Sequence, residues 1–166
     1  MVQSDKLTIR FSKEEDAQYL TKWLDDEDIL RWFPMCNKME IDDSVRIWMS
    51  YMQYKAVITA LWEGVPCGMA NFYIQTYKKL AHQSLFAIIV DKGYRSKGIG
   101  TALINELLKL AKDRFHLKLL HLEVYKGNPA IRLYERLGFA LYGVHKKFLK
   151  DTDGKYYDKI LMQKIL

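Results

Sequence analysis

The chain has 166 residues, 49% of them hydrophobic and 13% aromatic, with a formal net charge of +6. That content suits one packed domain over residues 1–166 and excludes a disordered chain, and no apolar run is long enough to cross a membrane. The cysteines Cys36 and Cys67 lack metal-ligand spacing and read as reduced thiols, and residues 1–6 carry no apolar signal region, so a cytoplasmic protein is expected. The positive charge is spread, much of it over Lys146, Lys147, Lys150, Lys155 and Lys159. Without a long basic run it reads as solvated surface, or as attraction for a small polyanion, in preference to nucleic-acid binding.

Lys6 to Phe11 alternates Leu7, Ile9 and Phe11 with polar residues, which predicts a strand. Ser12 and Glu15 have capping-box spacing, so a helix is expected from Lys13 to about Leu24, with Ala17, Leu20, Trp23 and Leu24 inward. The acidic run Asp25-Asp26-Glu27-Asp28 then precedes an apolar cluster, Ile29 to Met35. It reads either as the first turn of a short helix, favoured by the helix dipole, or as an electrostatic lure, led by Asp25 and Asp26, for a cationic ligand walled by Trp32 and Phe33. A helix over Asp42 to Tyr54 places Val45, Trp48, Met49 and Met52 on one side, a stripe that reads as core. Strands over Lys55 to Trp62 and Cys67 to Tyr77 flank the turn Glu63-Gly64-Val65-Pro66. Leu85 to Val90 is short, apolar and bounded by turn residues, as in a buried strand, and the spacing of Ile99, Leu103, Leu107, Leu110 and Ala111 is helical. Leu120, Leu122 and Val124 alternate with His121, Glu123 and Tyr125, a strand with one buried face. Asn128 then Pro129 predicts a helix start, with Ala130, Leu133, Tyr134 and Leu137 on one face and Gly138 as the stop. Strands over Phe139 to Phe148 and Lys155 to Ile165 enclose the hairpin turn Asp151 to Gly154. The resulting order, β-α-α-β-β-β-α-β-α-β-β, predicts an α/β (α+β) fold with a central mixed, mostly antiparallel sheet and helices on both faces.

The segment from Ser84 to Phe115 organises the rest. It runs strand, glycine loop, helix N-terminus, and free N–H groups with the helix dipole favour an anion there, commonly phosphate. A Walker A loop is excluded because Ile99 stands where its lysine should be, and the dinucleotide fingerprint because Leu103 replaces its third glycine. What is present is Arg95-Ser96-Lys97-Gly98-Ile99-Gly100, that is Gln/Arg-x-x-Gly-x-Gly/Ala. On this loop, and on the segment Ala130 to Phe139 (Ala-x-x-Leu-Tyr-x-x-x-Gly-Phe), the sequence resembles the GNAT superfamily of acetyl-coenzyme A-dependent N-acetyltransferases. The resemblance covers residues 84–139 closely. The family's asparagine falls on Gly127 when counted back from Tyr134, and Asn128 stands one place later, as a helix cap with a secondary role toward pantetheine.

The resemblance implies acetyl-CoA as co-substrate and a family-like role for particular residues. Arg95, Ser96, Lys97, Gly98, Ile99, Gly100 and Thr101 would hold the pyrophosphate. A backbone N–H near Ile89 or Val90 would bind the oxyanion, and Tyr134 would serve as general acid toward the sulfur; alternatively Tyr134 is a core aromatic. Glu123 matches the base of the ribosomal alanine acetyltransferases, and reads equally as a surface carboxylate. The positive charge would attract coenzyme A. No metal, nucleic-acid or membrane partner is expected, and exposed strand edges leave room for a homodimer. The expected function is acetyl transfer to a primary amine of a small molecule or protein by direct attack in a ternary complex. The alternative is an acyl-CoA-binding protein of the same fold without turnover.

Overall fold

A computed structural model describes residues 6–166; residues 1–5, part of the segment read above as lacking an apolar signal region, lie outside them. Seven strands form one sheet: β1 (Leu7–Phe11), β2 (Val57–Trp62), β3 (Val65–Tyr73), β4 (Gln83–Val90), β5 (Leu119–Tyr125), β6 (Ala140–Lys150) and β7 (Tyr156–Ile165). Their spatial order is β1-β2-β3-β4-β5-β7-β6, antiparallel throughout except for β4 and β5. The helices are α1 (Ala17–Leu24), α2 (Glu27–Leu30), α3 (Lys38–Ser50), α4 (Ile99–Asp113) and α5 (Ile131–Arg136). The mixed, mostly antiparallel sheet with helices on both faces is the expected fold class.

Strands β2 and β3 are near-continuous apolar runs because both of their faces are covered. On one face Leu20, Trp23 and Leu24 of α1, Ile29 of α2 and Ile41, Val45 and Trp48 of α3 pack on Val57, Met69 and Ile89. On the other, Ile99, Leu103, Ile104 and Leu107 of α4 and Tyr134 of α5 pack on Ile58, Ala70, Phe72, Phe86 and Leu122. Each fully buried Leu or Ile contributes roughly 1.5–3 kcal/mol by leaving water.

Three helix starts differ from the sequence expectation. Ser12 bonds the Thr59 hydroxyl at 2.7 Å, and Asp16, not Glu15, accepts the Lys13 N–H at 2.9 Å, so the chain opens with a 3₁₀ turn over Glu14–Asp16 and α1 begins at Ala17. Asp16 is 1% exposed and is held by both guanidinium nitrogens of Arg10 at 2.7 and 2.9 Å and by Thr59 at 2.8 Å. Helix α3 starts at Lys38 because Asn37 caps the Glu40 N–H at 2.9 Å, and it ends at Ser50, with Tyr51–Tyr54 continuing as a 3₁₀ turn. Asn128 accepts the Ala130 N–H at 2.9 Å in a turn that precedes α5, so the helix itself begins at Ile131. Strand β3 ends at Tyr73, short of Tyr77.

The site is created by a failure of pairing. Strands β4 and β5 are in register only over Gln83–Leu85 and Leu119–His121, and then diverge. The Asp91 N–H bonds Cys67 of β3 at 2.9 Å, and Val90 faces Gly68 across that ladder. Alternation along an antiparallel ladder then directs the N–H groups of Ile88 and Val90 away from β3, toward the gap beside β5.

Candidate active site

A cavity of about 610 Å³ occupies the divergence between β4 and β5. It has walls on both faces of the sheet, since Ile89 packs toward α1–α3 while Tyr134 packs toward α4. Of the residues singled out in the sequence, Ile89, Val90, Arg95, Ser96, Gly98, Ile99, Gly100, Thr101, Glu123, Asn128, Tyr134, Trp32 and Phe33 line it. Lys97, Asp25 and Asp26 do not line it. Lys97 instead lies 5.0 Å over the Trp62 ring and 5.1 Å over the Tyr94 ring.

The loop end of the cavity is a set of backbone donors. Gly98 caps α4 with φ at +78°, a conformation that a side chain would strain, and no side-chain group caps the helix. The first N–H bonded within the helix is that of Ala102, to Gly98. The preceding N–H groups, on cavity-lining Ile99, Gly100 and Thr101, lack carbonyl partners within the helix, and with the dipole behind them such groups favour an anion. A Cβ on Gly100 would meet Leu133 Cδ2 at 3.0 Å, so the missing side chain lets the first turn of α4 approach α5.

Asp91 anchors the start of this loop. It accepts from the Trp23 indole at 3.0 Å and from the Gly93 N–H at 2.8 Å, tying the loop to α1. Lys92 reaches Asp26 at 2.6 Å and Asp28 at 3.6 Å, which ties it to α2. Asp26 also caps α2 through the Asp28 N–H. Hydrogen bonding to Lys92, foremost, holds the Asp26 carboxyl below its ordinary range. The acidic run is therefore a helix start and a clasp on the glycine loop; Glu27 and Asp28 also line a second cavity of about 300 Å³ that shares Trp32 with the first. The clasp joins residues 66 positions apart, which no local pattern displays.

Tyr134 is 7% exposed, edge-on to Phe86 and Phe139 with centroids 6.3 and 6.2 Å away. Burial pushes its phenol well above the ordinary value, so it stays protonated. Glu123 lies on the opposite face of β5 from Leu122 and Val124 and is bonded by Lys159, whose ammonium sits over the Phe148 ring. His121 shares that strand; burial lowers its pKa, and neither ring nitrogen has a hydrogen-bond partner. Asn128 spends its carbonyl oxygen on the Ala130 N–H while its residue lines the cavity. Sequence reasoning missed the cavity-lining arginines of α5, Arg132 and Arg136. Their four-residue spacing beside the second motif was the available signal.

Neither cysteine lines the cavity. Burial, then the nearby Asp91 charge, pushes the Cys67 thiol up to about 12, leaving it without nucleophilic character at neutral pH.

The sequence profile of the Acetyltransferase (GNAT) family matches residues 11–139. The chain belongs to this family. Among curated GNAT relatives, the L-amino acid N-acetyltransferase AaaT of Escherichia coli K12 is 25% identical over 135 residues, 78% of this chain and 83% of AaaT. The ribosomal protein bS18-alanine N-acetyltransferase of the same organism is 39% identical over 95 residues, 57% of this chain and 62% of that enzyme. The fold is also that of Salmonella typhimurium yncA, solved with its cofactor acetyl-CoA: TM-score 0.82 at 22% identity, covering 98% of this chain and 95% of that one.

Proposed function

We propose that this GNAT protein is an N-acetyltransferase that moves the acetyl group of acetyl-CoA to a primary amine by direct attack within a ternary complex. The observation that carries this reading is the cavity between β4 and β5, with Tyr134 on one face of the sheet, Glu123 on the other and the glycine loop at its rim. The acetyl-CoA held by yncA, and the names of the curated N-acetyltransferase relatives, support it.

The pyrophosphate sits on the N–H groups of Ile99, Gly100 and Thr101 beside Arg95, in a loop shaped by Ser96, Lys97 and Gly98. Asn128 donates its amide hydrogens to pantetheine, and the acyl arm threads the gap. The amine enters past Trp32 and Phe33, from the side of α2, whose acidic second cavity borders the same Trp32.

The amine nitrogen attacks the thioester carbonyl carbon, and the oxyanion accepts from the Val90 N–H, with Ile89 fixing that strand against α1–α3. The C–S bond then breaks and its electron pair goes to sulfur. Tyr134 donates a hydrogen bond to that sulfur. Complete proton transfer to it is uphill, because an ordinary phenol titrates near pH ~10 and a thiol near ~8.5. The amine's proton leaves through Glu123, directly or by way of water, and Lys159 holds that carboxylate in place. Products are the acetylated amine and coenzyme A.

The test is an amine panel of polyamines, aminoglycosides, amino sugars and N-terminal peptides, followed by thiol release and product mass. At least one amine should give stoichiometric coenzyme A and an acetyl adduct. Release with none of them, in protein that binds acetyl-CoA, would favour an acyl-CoA-binding role without turnover.

A further inference from the structure

Three arginines are among the residues that line the cavity: Arg95, Arg132 and Arg136. The chain has four other arginines, and each is engaged: Arg10 with Asp16, Arg46 with Asp43, Arg31 over the Trp32 ring and Arg114 over the Phe115 ring. Among the described residues Arg132 and Arg136 have no hydrogen bond, ion pair or ring partner, whereas the Arg95 charge acts on Asp26. Arg95 belongs to the glycine loop, where the proposed function seats the pyrophosphate. That leaves a pair on α5 with nothing yet to hold.

Arg132 and Arg136 are four residues apart, so they lie on one face of the helix, where like charges repel unless an anion sits between them. Their place in the fold says which anion. Leu133 lies between them in sequence, and its Cδ2 is within 3.0 Å of where a Gly100 Cβ would stand, so α5 abuts the first turn of α4. Helices α4 and α5 cover one face of the sheet, whereas Phe33 and α2 belong to the other. The free arginines are thus on the nucleotide side, across the sheet from the amine's entry.

We propose that Arg132 and Arg136 form a second anion subsite that takes the 3′-phosphate of coenzyme A, separate from the pyrophosphate site on α4. The inference rests on the acetyl-CoA reading above. Two planar forks present paired donors to a group with three acceptor oxygens, and such charge-assisted bonds are the strong ones. The protein therefore distinguishes acetyl-CoA from its 3′-dephospho form.

Calorimetric titration of both ligands at one ionic strength tests this, with wild type and the doubly substituted Arg132→Gln, Arg136→Gln protein. Both residues are exposed, and melting temperature checks that the variant is folded. Wild type should bind acetyl-CoA about tenfold or more tighter than the dephospho form. The variant should bind both alike, at the wild-type affinity for the dephospho form. Equal wild-type affinities would overturn the proposal, as would an equal loss for both ligands. So would preserved discrimination with a raised amine KM, which would assign the arginines to an anion on the acceptor. Wild type that binds neither ligand would remove the acetyl-CoA reading as well.

Discussion

Tyr134 carries the sharpest prediction at the residue scale. Tyr134→Phe keeps the ring against Phe86 and Phe139 and removes only the donor, so kcat should fall roughly 10²-fold while acetyl-CoA affinity and Tm stay near wild type. Undiminished turnover would reduce Tyr134 to packing. Glu123→Gln should act through the acceptor's titration. A lysine-like amine, with pKa about 10.4, is neutral only about once in a thousand at pH 7, so the variant's loss should be much larger at pH 7 than at pH 9.5. An α-amine near pKa ~8 should show little difference between the two, and parallel profiles with no loss would pass the role to His121 or water. Asp16 belongs to stability instead. Burial would raise its pKa, but the bonds from Arg10, Lys13 and Thr59 outweigh it and leave the folded value lowered. Its contribution is therefore present above the unfolded value of about 3.9 and fades as pH falls through the lower folded one. Urea midpoints of wild type should fall below about pH 4, Asp16→Asn should flatten that limb, and Asp16→Ala should cost about 3–5 kcal/mol at pH 7. A midpoint within error of wild type would place the network outside the stability account.

At the scale of elements, the approach of α4 to α5 sets the loop. Gly100→Val drives a branched side chain into Leu133 and should separate the two helices, raising the acetyl-CoA Kd at least tenfold with a fall in Tm. Adding Leu133→Ala to Gly100→Ala should recover part of the affinity that Gly100→Ala loses; if it recovers none, the clash is not the cause. The acidic run works at this scale too. Asp26→Asn removes the charge that Lys92 pairs with while keeping an oxygen to cap α2, so acetyl-CoA binding should weaken along with any effect on the amine. An effect on the amine KM alone would favour the electrostatic-lure reading of the run. Most elements were legible because their signals are local: the alternation of Leu120, Leu122 and Val124, and the helical stripe from Ile99 to Ala111. The starts of α3 and α5 were misplaced although their caps, Asn37 and Asn128, are local, whereas that of α1 failed through a distant partner. Ser12 was drawn off by Thr59, 47 residues away, so the spacing of Ser12 and Glu15 promised a box that never closes.

The whole molecule is a sheet opened in its middle. The glycine loop and the Tyr134 segment could be read because each is a short motif with its own turn chemistry. The gap between β4 and β5 could not, since both strands have ordinary strand patterns and their divergence is a property of the pair. The clasp of Lys92 on Asp26 was hidden for the same reason. Under the proposed function the gap lets an amine and the thioester meet directly, with no acetyl group resting on the protein. Initial rates of coenzyme A release, with acetyl-CoA and one accepted amine both varied, test it most directly. Double-reciprocal lines should intersect, and thiol release should be negligible without amine. Parallel lines, or a burst of thiol equal to the enzyme before amine is added, would contradict it.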